Sequence, residues 1–257
     1  MIVKKVLKFI LPIFVIQFLK TLLIMIQKNK FKRMNNEQIF AEIYNKKIWS
    51  PEKEKKTHRF YSGVGSHHDE FVETYLEKMR EFLNSFSLKP SVVDLGCGDF
   101  SIGSKLREHC GNYIAVDIFN DLIEQNKKKF SALNVDFRVL DISRDALPSS
   151  DICFVRQVLQ HLSNFHIQGF LKLISGKYKY LVITEHLPDP DKIENFLPNI
   201  DKVTGPDIRI DNNSGVILTK PPFNLKVIEV KDVCNIRSKK IKGFVGVVNT
   251  KILKLKK

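Results

Sequence analysis

Apolar runs recur from residue 91 onward at intervals that leave room for a helix between successive runs. Five of these runs predict β-strands, at residues 91–95, 113–118, 136–141, 151–156 and 180–184. Acidic or polar residues stand at the ends of the first four runs. Strands of this kind, separated by helices, are typical of an open parallel sheet that binds its ligand at the strands' carboxyl ends. We therefore predict an α/β fold with a doubly wound, mostly parallel sheet.

The flanking regions complete this architecture. Residues 68–86 predict a helix ahead of the sheet. Residues 225–230 and 244–250 predict a C-terminal strand pair, joined by a basic turn at 237–242. The pair brings the predicted sheet to seven strands, with helices on both faces and an N-terminal helical extension.

Charge and composition divide the chain of 257 residues into three parts: an N-terminal helix at 1–35, a helical segment at 36–90 and an α/β domain at 91–257. The net charge of +14 comes from the ends of the chain. Residues 1–35 hold eight Lys or Arg and no acid, and residues 226–257 hold ten Lys or Arg against two acids. The body between them is close to neutral, so the charge indicates little about the ligand of the sheet.

The N-terminal part contains an apolar stretch at 6–26 that Lys8, Pro12 and Lys20 interrupt. Three arrangements fit it: a helix in the membrane interface with basic flanks on anionic lipid, a single span, or a soluble helix packed on the domain. Lys20 and the lack of a small-residue cleavage site disfavour a signal peptide. We expect a cytoplasmic protein, either peripheral or with one span at the cytoplasmic membrane.

The first predicted strand leads into the turn Gly96-Cys97-Gly98. Two glycines at this spacing let the backbone turn sharply and approach a ligand closely. A dinucleotide turn would place a third glycine at Ser101. Asp94 would repel a pyrophosphate, but it would attract a cationic amino group. S-adenosylmethionine carries such a group as well as a sulfonium, and we take it as the expected cofactor.

The next two strands end in further acids. Asp117 follows the glycines by about 20 residues, where a carboxylate accepts hydrogen bonds from a ribose diol. Asp141 is the candidate residue on the adenine side. Each has a simpler alternative: Asp117 as the N-cap of the following helix, and Asp141 as a cap or turn residue before Ser143.

These stretches resemble class I S-adenosylmethionine-dependent methyltransferases, which have a Rossmann-like sheet. A longer pattern over about 49–225 is similar to a bacterial group of these enzymes. It comprises Trp49, Ser62-Gly63-Val64-Gly65-Ser66, Cys97-Gly98-Asp99-Phe100, Arg156, Gln160-His161-Leu162-Ser163, Asn199, Asp201, Gly205, Arg209 and the run 221–225.

The resemblance implies contacts of Asp94, Gly96 and Gly98 with the methionine part of the cofactor, of Asp117 with the ribose, and of Asp141 and Ile142 with the adenine. It also implies that residues 62–66 fold over the cofactor, so we include Ser62, Gly63 and Arg156 among the cofactor-binding residues. Gln157 stands where the group often has Asp, and Ser101-Ile102 where it has an aromatic residue. No catalytic role for that Asp is carried over.

Methyl transfer to oxygen needs a group that takes the acceptor's proton. The candidates are His161 after the fourth strand and Glu185 and His186 after the fifth, and we favour the two histidines because histidine titrates near neutral pH. A structural histidine beneath a helix is the alternative for His161. Residues 187–219 form a long loop, either a lid or binding loop or a disordered insertion. Asn199, Asp201 and Arg209 are its candidate acceptor-side residues.

The four cysteines form no C-x-x-C pair and the histidines have no ligand spacing, so we expect reduced thiols and no metal site. The predicted function is O-methylation. The expected acceptor is a small molecule, or a glycan or lipid-linked molecule at the membrane surface. The alternatives are an RNA or protein methyltransferase, since basic ends could contact phosphates, and a non-catalytic cofactor-binding scaffold. Basic and aromatic residues do not interleave as they do in base-stacking proteins, which disfavours nucleic acid.

Overall fold

A seven-stranded sheet forms the centre of the protein, which the computed structural model describes over residues 13–189, 191, 196–238 and 245–256. The strands are β1 (Val92–Leu95), β2 (Tyr113–Asp117), β3 (Asp136–Val139), β4 (Ile152–Arg156), β5 (Tyr180–Leu187), β6 (Val227–Ile236) and β7 (Val247–Leu255). Their order is β3-β2-β1-β4-β5-β7-β6. The first five strands are parallel, and β7 is antiparallel to both β5 and β6. The predicted seven-stranded, mostly parallel sheet is confirmed.

Six α-helices accompany the sheet in the described part of the chain. They are α1 (Ile13–Phe31), α2 (Asn36–Asn45), α3 (Asp69–Asn84), α4 (Gly103–Leu106), α5 (Asn120–Lys129) and α6 (Asn164–Leu173). Apolar residues at helical spacing bury α3 on one face of the sheet, whereas α6 packs on the other face. Neighbouring residues of β1 follow the same division, because Val92 belongs to the first core and Val93 to the second.

The order of the strands positions a crevice. The chain winds outward from β1 to β2 and β3, and then returns to place β4 on the other side of β1. At such a reversal the connections after β1 and β4 diverge to opposite sides, which leaves an opening at their carboxyl ends.

The C-terminal strands are longer than their apolar patterns indicate, since each runs several residues beyond the predicted end. β6 lies at the edge of the sheet, where most of its side chains are exposed and need not be apolar. Lys251 of β7 is accommodated by an ion pair with Asp232, at 2.9 Å. Most of the predicted turn at 237–242 lies outside the described residues.

The N-terminal extension continues into the body of the protein at Phe31. This last residue of α1 is buried with Ile39 and Ile43 of α2. The start of the predicted helix, at 6–12, is not among the described residues. Within the part of the chain that is described, no helix combines the length and apolar content needed to cross a membrane.

Candidate functional site

A cavity of about 480 Å³ opens at the carboxyl ends of the parallel strands, beside the reversal in strand order. Its volume is in the range of small-molecule and cofactor sites. Most of the residues predicted for the site lie on its wall: Ser62, Gly63, Asp94, Gly96, Gly98, Asp117, Asp141, Ile142, Arg156, His161 and His186. Residues separated by more than 100 positions in sequence are thus brought around one space.

The glycine turn after β1 packs too closely for side chains. Gly96 and Gly98 have φ values of 76° and 57°, which favour glycine. A Cβ atom on Gly98 would overlap the Ser62 hydroxyl and lie 2.9 Å from the Ser62 Cβ atom. The Asn126 amide donates to the Gly98 carbonyl at 2.7 Å and holds the turn from α5.

Asp117 ends β2 with its carboxylate aimed at this turn. It accepts hydrogen bonds from the backbone N–H groups of Gly98 at 3.0 Å and Phe119 at 3.2 Å. Burial raises its pKa to about 6. The alternative role as an N-cap does not hold, because Phe119 occupies the N-cap position of α5.

Asp94 is buried at the centre of the cavity wall. The Tyr113 hydroxyl donates to its carboxylate at 3.0 Å. Burial raises the pKa of Asp94 to about 7, although Tyr113 and the nearby Arg156 act in the opposite direction. A bound cation would favour the ionised form of this carboxyl.

Asp141 forms the turn that the sequence offered as the alternative role, and its role at the adenine stays a prediction. Its Oδ1 atom accepts from the Ser143 backbone N–H at 2.9 Å and from the Ser143 hydroxyl at 2.7 Å, which forms a turn. The residue also lines the cavity next to Leu140 and Ile142. The turn therefore orients a carboxylate that still borders the ligand space.

The Ser-Gly segment at 62–66 covers one side of the cavity and is tied down by Asp99. The Asp99 carboxylate accepts from the Ser62 backbone N–H at 3.0 Å and bonds to the His67 ring at 2.6 Å. Burial acts to raise the pKa of Asp99, but the hydrogen bonds from His67 and Ser62 outweigh it and keep that pKa below its ordinary value. The ionised carboxylate thus fastens both ends of the segment.

Arg156 fastens the same segment from β4. Its guanidinium lies over the Tyr75 ring and donates to the Gly65 carbonyl at 2.6 Å and the Ser66 hydroxyl at 3.3 Å. Within the described structure its buried Nε atom has no hydrogen-bond partner. A donor of this kind on a cavity wall fits an anionic group of a ligand.

The two histidines predicted as bases also line the cavity. His161 packs against Trp49, with ring centroids 4.8 Å apart, and burial lowers its pKa to about 3. His186 donates from Nε2 to the Val245 carbonyl at 2.6 Å, and burial lowers its pKa too. Both rings are therefore neutral at pH 7, and the carbonyl partner fixes the proton of His186 on Nε2.

Glu185 lies outside this cavity, so its expected role as a base has no geometric support. It is buried and lines a separate, smaller pocket, and its carboxylate accepts from the Leu159 backbone N–H at 3.2 Å. Burial raises its pKa to about 8. Neighbouring strand residues point to opposite faces, which explains why His186 reaches the cavity and Glu185 does not.

The three acceptor-side candidates of the long loop are also structural. Arg209 is 1% exposed and donates to the carbonyls of Leu159, Gln160, Leu162 and Ile200. Asn199 bonds to the backbone around 217–221, and Asp201 accepts from the Asn164 N–H at 2.7 Å. Other residues of the loop do line the cavity, namely Pro206, Asp207, Ile208 and Asp211.

The sequence also left α2 out of the site. Asn36, Phe40 and Tyr44 of this helix line the cavity. Trp49, which follows the helix, donates from its indole to the Pro206 carbonyl at 3.3 Å and so joins α2 to the long loop. The available signal was a second apolar stripe, Phe40 and Tyr44, beside the core stripe Ile39 and Ile43.

In the residues that the structure describes, no group of three or more His, Cys, Asp or Glu side chains is placed to hold a metal ion. The four cysteines are free thiols, and Cys110 and Cys153 are buried.

Residues 93–177 match a family model described as a methyltransferase domain. No curated protein matches the chain by sequence. Among solved structures, the N-methyltransferase NodS from Bradyrhizobium japonicum, in complex with S-adenosyl-L-homocysteine, is 14% identical with a TM-score of 0.54 over 75% of this chain and 91% of its own. A SAM-dependent methyltransferase from Leishmania major is 16% identical, with a TM-score of 0.53 over 75% of this chain and 76% of its own.

The methyltransferase domain of a bacterial Hen1 protein is 16% identical, with a TM-score of 0.50 over 71% of this chain and 98% of its own. These likenesses show a shared fold, and the match at 93–177 covers the strands that build the cavity. The chain thus has the fold of class I S-adenosylmethionine-dependent methyltransferases, and its residues 93–177 match a methyltransferase-domain model.

Proposed function

We propose that this protein methylates an oxygen of a small-molecule acceptor, or of a glycan or lipid-linked acceptor, in the cavity at the carboxyl ends of β1, β2 and β4. The observation that carries the proposal is that two sets of side chains line the same cavity. One set consists of acidic strand ends and a glycine turn, and the other of two neutral histidines with an aromatic wall.

The acidic strand ends and the glycine turn fit S-adenosylmethionine. The ammonium of its methionine part is complementary to Asp94, and its carboxylate is complementary to the partnerless Nε atom of Arg156. Asp117 would accept from the ribose, and Asp141 with Ile142 would border the adenine. The close contact of Gly98 with Ser62 keeps side chains out of this space. When bound, the cofactor supplies a methyl group on a sulfonium, ready for displacement.

The histidines and the aromatic wall would hold the acceptor. A hydroxyl that attacks a methyl group passes its proton on as the new C–O bond forms, and the developing oxonium is a strong acid. A neutral imidazole accepts that proton even when its pKa is as low as the value of about 3 at His161. We assign this role to His161, whereas His186, with its proton on Nε2, orients the acceptor.

Replacement of His161 by Ala tests this assignment. We expect the variant to bind S-adenosyl-L-homocysteine as the wild type does, because His161 is not among the residues that we assign to the cofactor, and to lose at least about 100-fold in turnover. Calorimetry measures the binding. Mass spectrometry of lipid, glycan and nucleic-acid fractions from cells with and without the gene identifies the acceptor by the mass gain of one CH₂ group.

Three results would each contradict one part of the proposal. Wild-type protein that fails to bind S-adenosyl-L-homocysteine would remove the cofactor site. An Ala variant at His161 with full turnover on the identified acceptor would remove the base. A methylated amine instead of a hydroxyl would contradict the oxygen acceptor while leaving the cofactor site in place.

We also propose that the protein lies at a membrane surface, which the exposed side of α1 supports. Phe18, Leu22 and Met25 recur at helical spacing and are exposed, Phe18 to 66%. Residues 1–35 carry eight positive charges and no acid. An exposed apolar stripe with basic flanks is complementary to anionic lipid, so we assign α1 to the membrane interface.

A further inference from the structure

Asn36, the first residue of α2, connects the N-terminal extension to the cavity. It is 4% exposed and lies on the cavity wall next to Asp141. Its Nδ2 atom donates to Asp141 Oδ2 at 3.2 Å and to the Ser143 hydroxyl at 3.2 Å. The amide therefore bonds across more than 100 residues of sequence to the end of β3.

These two bonds fix the orientation of the amide. A carboxylate only accepts hydrogen bonds, so the NH₂ group of Asn36 must face Asp141 and the carbonyl oxygen must point the other way. Within the described part of the chain, this buried Oδ1 atom has no hydrogen-bond partner. A buried acceptor without a donor is destabilising, which indicates a partner that arrives with the ligand.

We propose that Asn36 is a cofactor-binding residue whose Oδ1 atom accepts a hydrogen bond from the 6-amino group of the adenine. This inference rests on the proposed cofactor site, in which Asp141 borders the adenine. Asp141 Oδ1 is already bonded to the N–H and hydroxyl of Ser143. Beside it, the Asn36 Oδ1 atom has no donor among the described residues, and it can accept a hydrogen bond from an amino group.

The consequence is selectivity for adenine. A base with a carbonyl in place of the amino group would set two acceptors against each other and leave Asn36 without its donor. The extension would then complete the cofactor site, since α2 enters it at its first residue. A capping box between Asn35 and Gln38 fixes the start of this helix, and Asn36 with it.

Calorimetry with two ligands tests the proposal on the full chain. S-adenosyl-L-homocysteine carries the amino group, whereas S-inosyl-L-homocysteine has a carbonyl there. We expect the wild type to prefer the adenine ligand at least about tenfold, and Asn36→Ala to reduce this preference to about threefold or less. Asn45→Ala, at the exposed end of the same helix, is the matched control and should keep the wild-type preference.

Asn36→Ser provides a second variant if the Ala variant unfolds, because serine is tolerated in the first turn of a helix. A preference that stays at the wild-type ratio in the folded variants would overturn the role of Asn36. A wild type that binds neither ligand would instead refute the proposed cofactor site, so the two failures are distinguishable. Equal loss of both ligands in the Asn36 variants would assign the residue to packing alone and would also overturn the proposal.

Discussion

Asp94 has opposite effects on folding and on binding. Its folded-state pKa of about 7 lies above the ordinary value of 3.8, so the folded protein without ligand holds this proton more tightly than the unfolded chain. Stability contributed by this carboxyl therefore falls as pH rises from about 4 to about 7, and stays reduced above that range. Ligand binding is expected to change in the other direction, because an ammonium binds the ionised form.

We predict that Asp94→Asn raises the melting temperature of the ligand-free protein at pH 8, by about 2–4 °C for each kcal/mol recovered. Thermal unfolding followed by circular dichroism measures this change. The same variant should weaken binding of S-adenosyl-L-homocysteine at least about tenfold. Wild-type affinity should rise between pH 6 and pH 8, and the variant should lose most of that rise.

Asp151→Asn is a control of opposite sign. Hydrogen bonds from the Ser91 side chain and backbone lower the pKa of Asp151, so its replacement should reduce the melting temperature at pH 8. A lower melting temperature for Asp94→Asn at pH 8 would contradict the cost assigned to the buried carboxyl.

For single residues, the sequence predicted which side chains belong to the site better than it predicted their pKa values. Asp94 and Asp117 were found because a carboxylate at the end of an apolar run is a local pattern. Their pKa values and that of His161 depend on burial by distant segments, which no local pattern records. The position of Glu185 was missed for a simpler reason, since one residue along a strand reverses the face.

Among the elements, the segment at 62–66 docks through its second glycine. A Cβ atom on Gly65 would overlap the side-chain amide of Gln157, the residue that follows β4. Gln157 also has a positive φ of 57°, so its backbone presents the side chain in an uncommon direction. The missing side chain at Gly65 thus leaves room for the side chain of a residue 92 positions later in the sequence.

We predict that Gly65→Ala weakens binding of S-adenosyl-L-homocysteine about threefold, because the Gln157 amide, the far end of a flexible side chain, must shift on the cavity wall to make room. Calorimetry measures the loss. The double variant Gly65→Ala, Gln157→Ala should recover most of the affinity, since it removes the overlapping amide. Gly176→Ala is the control for glycine replacement: its Cβ atom would meet nothing within 4 Å, and although a φ of 69° strains the backbone of an alanine there, it should keep wild-type affinity.

Failure of the double variant to recover would show that Gly65 is needed for its backbone and not for this contact. The sequence indicated the Ser-Gly segment only through its resemblance to other methyltransferases. Its attachment depends on Asp99, His67 and Arg156 together, which are brought to one place by the packing of three elements.

For the molecule as a whole, α1 and α2 have different roles although they are adjacent in the chain. α1 exposes an apolar stripe, whereas α2 lines the cavity, and Phe31 between them is buried. The two functions we propose, membrane binding and cofactor binding, should therefore separate on truncation.

We predict that removal of residues 1–30 abolishes cosedimentation with phosphatidylglycerol vesicles at low salt while affinity for S-adenosyl-L-homocysteine stays within about threefold of the full chain. Phe18→Glu, Ile26→Glu should reduce vesicle binding at least about tenfold, because it places two charges on the apolar stripe. Gln17→Glu, Gln27→Glu adds the same charge at polar positions and should retain more binding. Equal loss in both double variants would reduce the interaction to charge alone, and full retention after truncation would refute it.

The sequence by itself determined the strand–helix alternation, the parallel sheet and the acids at the strand ends. Periodicity and turn chemistry are local, and each residue carries that information in its immediate neighbours. From these local signals follow the fold and the class of cofactor, and also the end of the sheet at which we propose that it binds.

Tertiary structure alone decided which distant residues share the cavity and which of them hydrogen-bond to or pack against one another. It put Asn36 beside Asp141, Trp49 against His161, and the guanidinium of Arg209 beneath the turn that carries His161. Such contacts depend on packing between segments far apart in the chain, so the same residue types in the same order are compatible with several arrangements until the core closes around one of them.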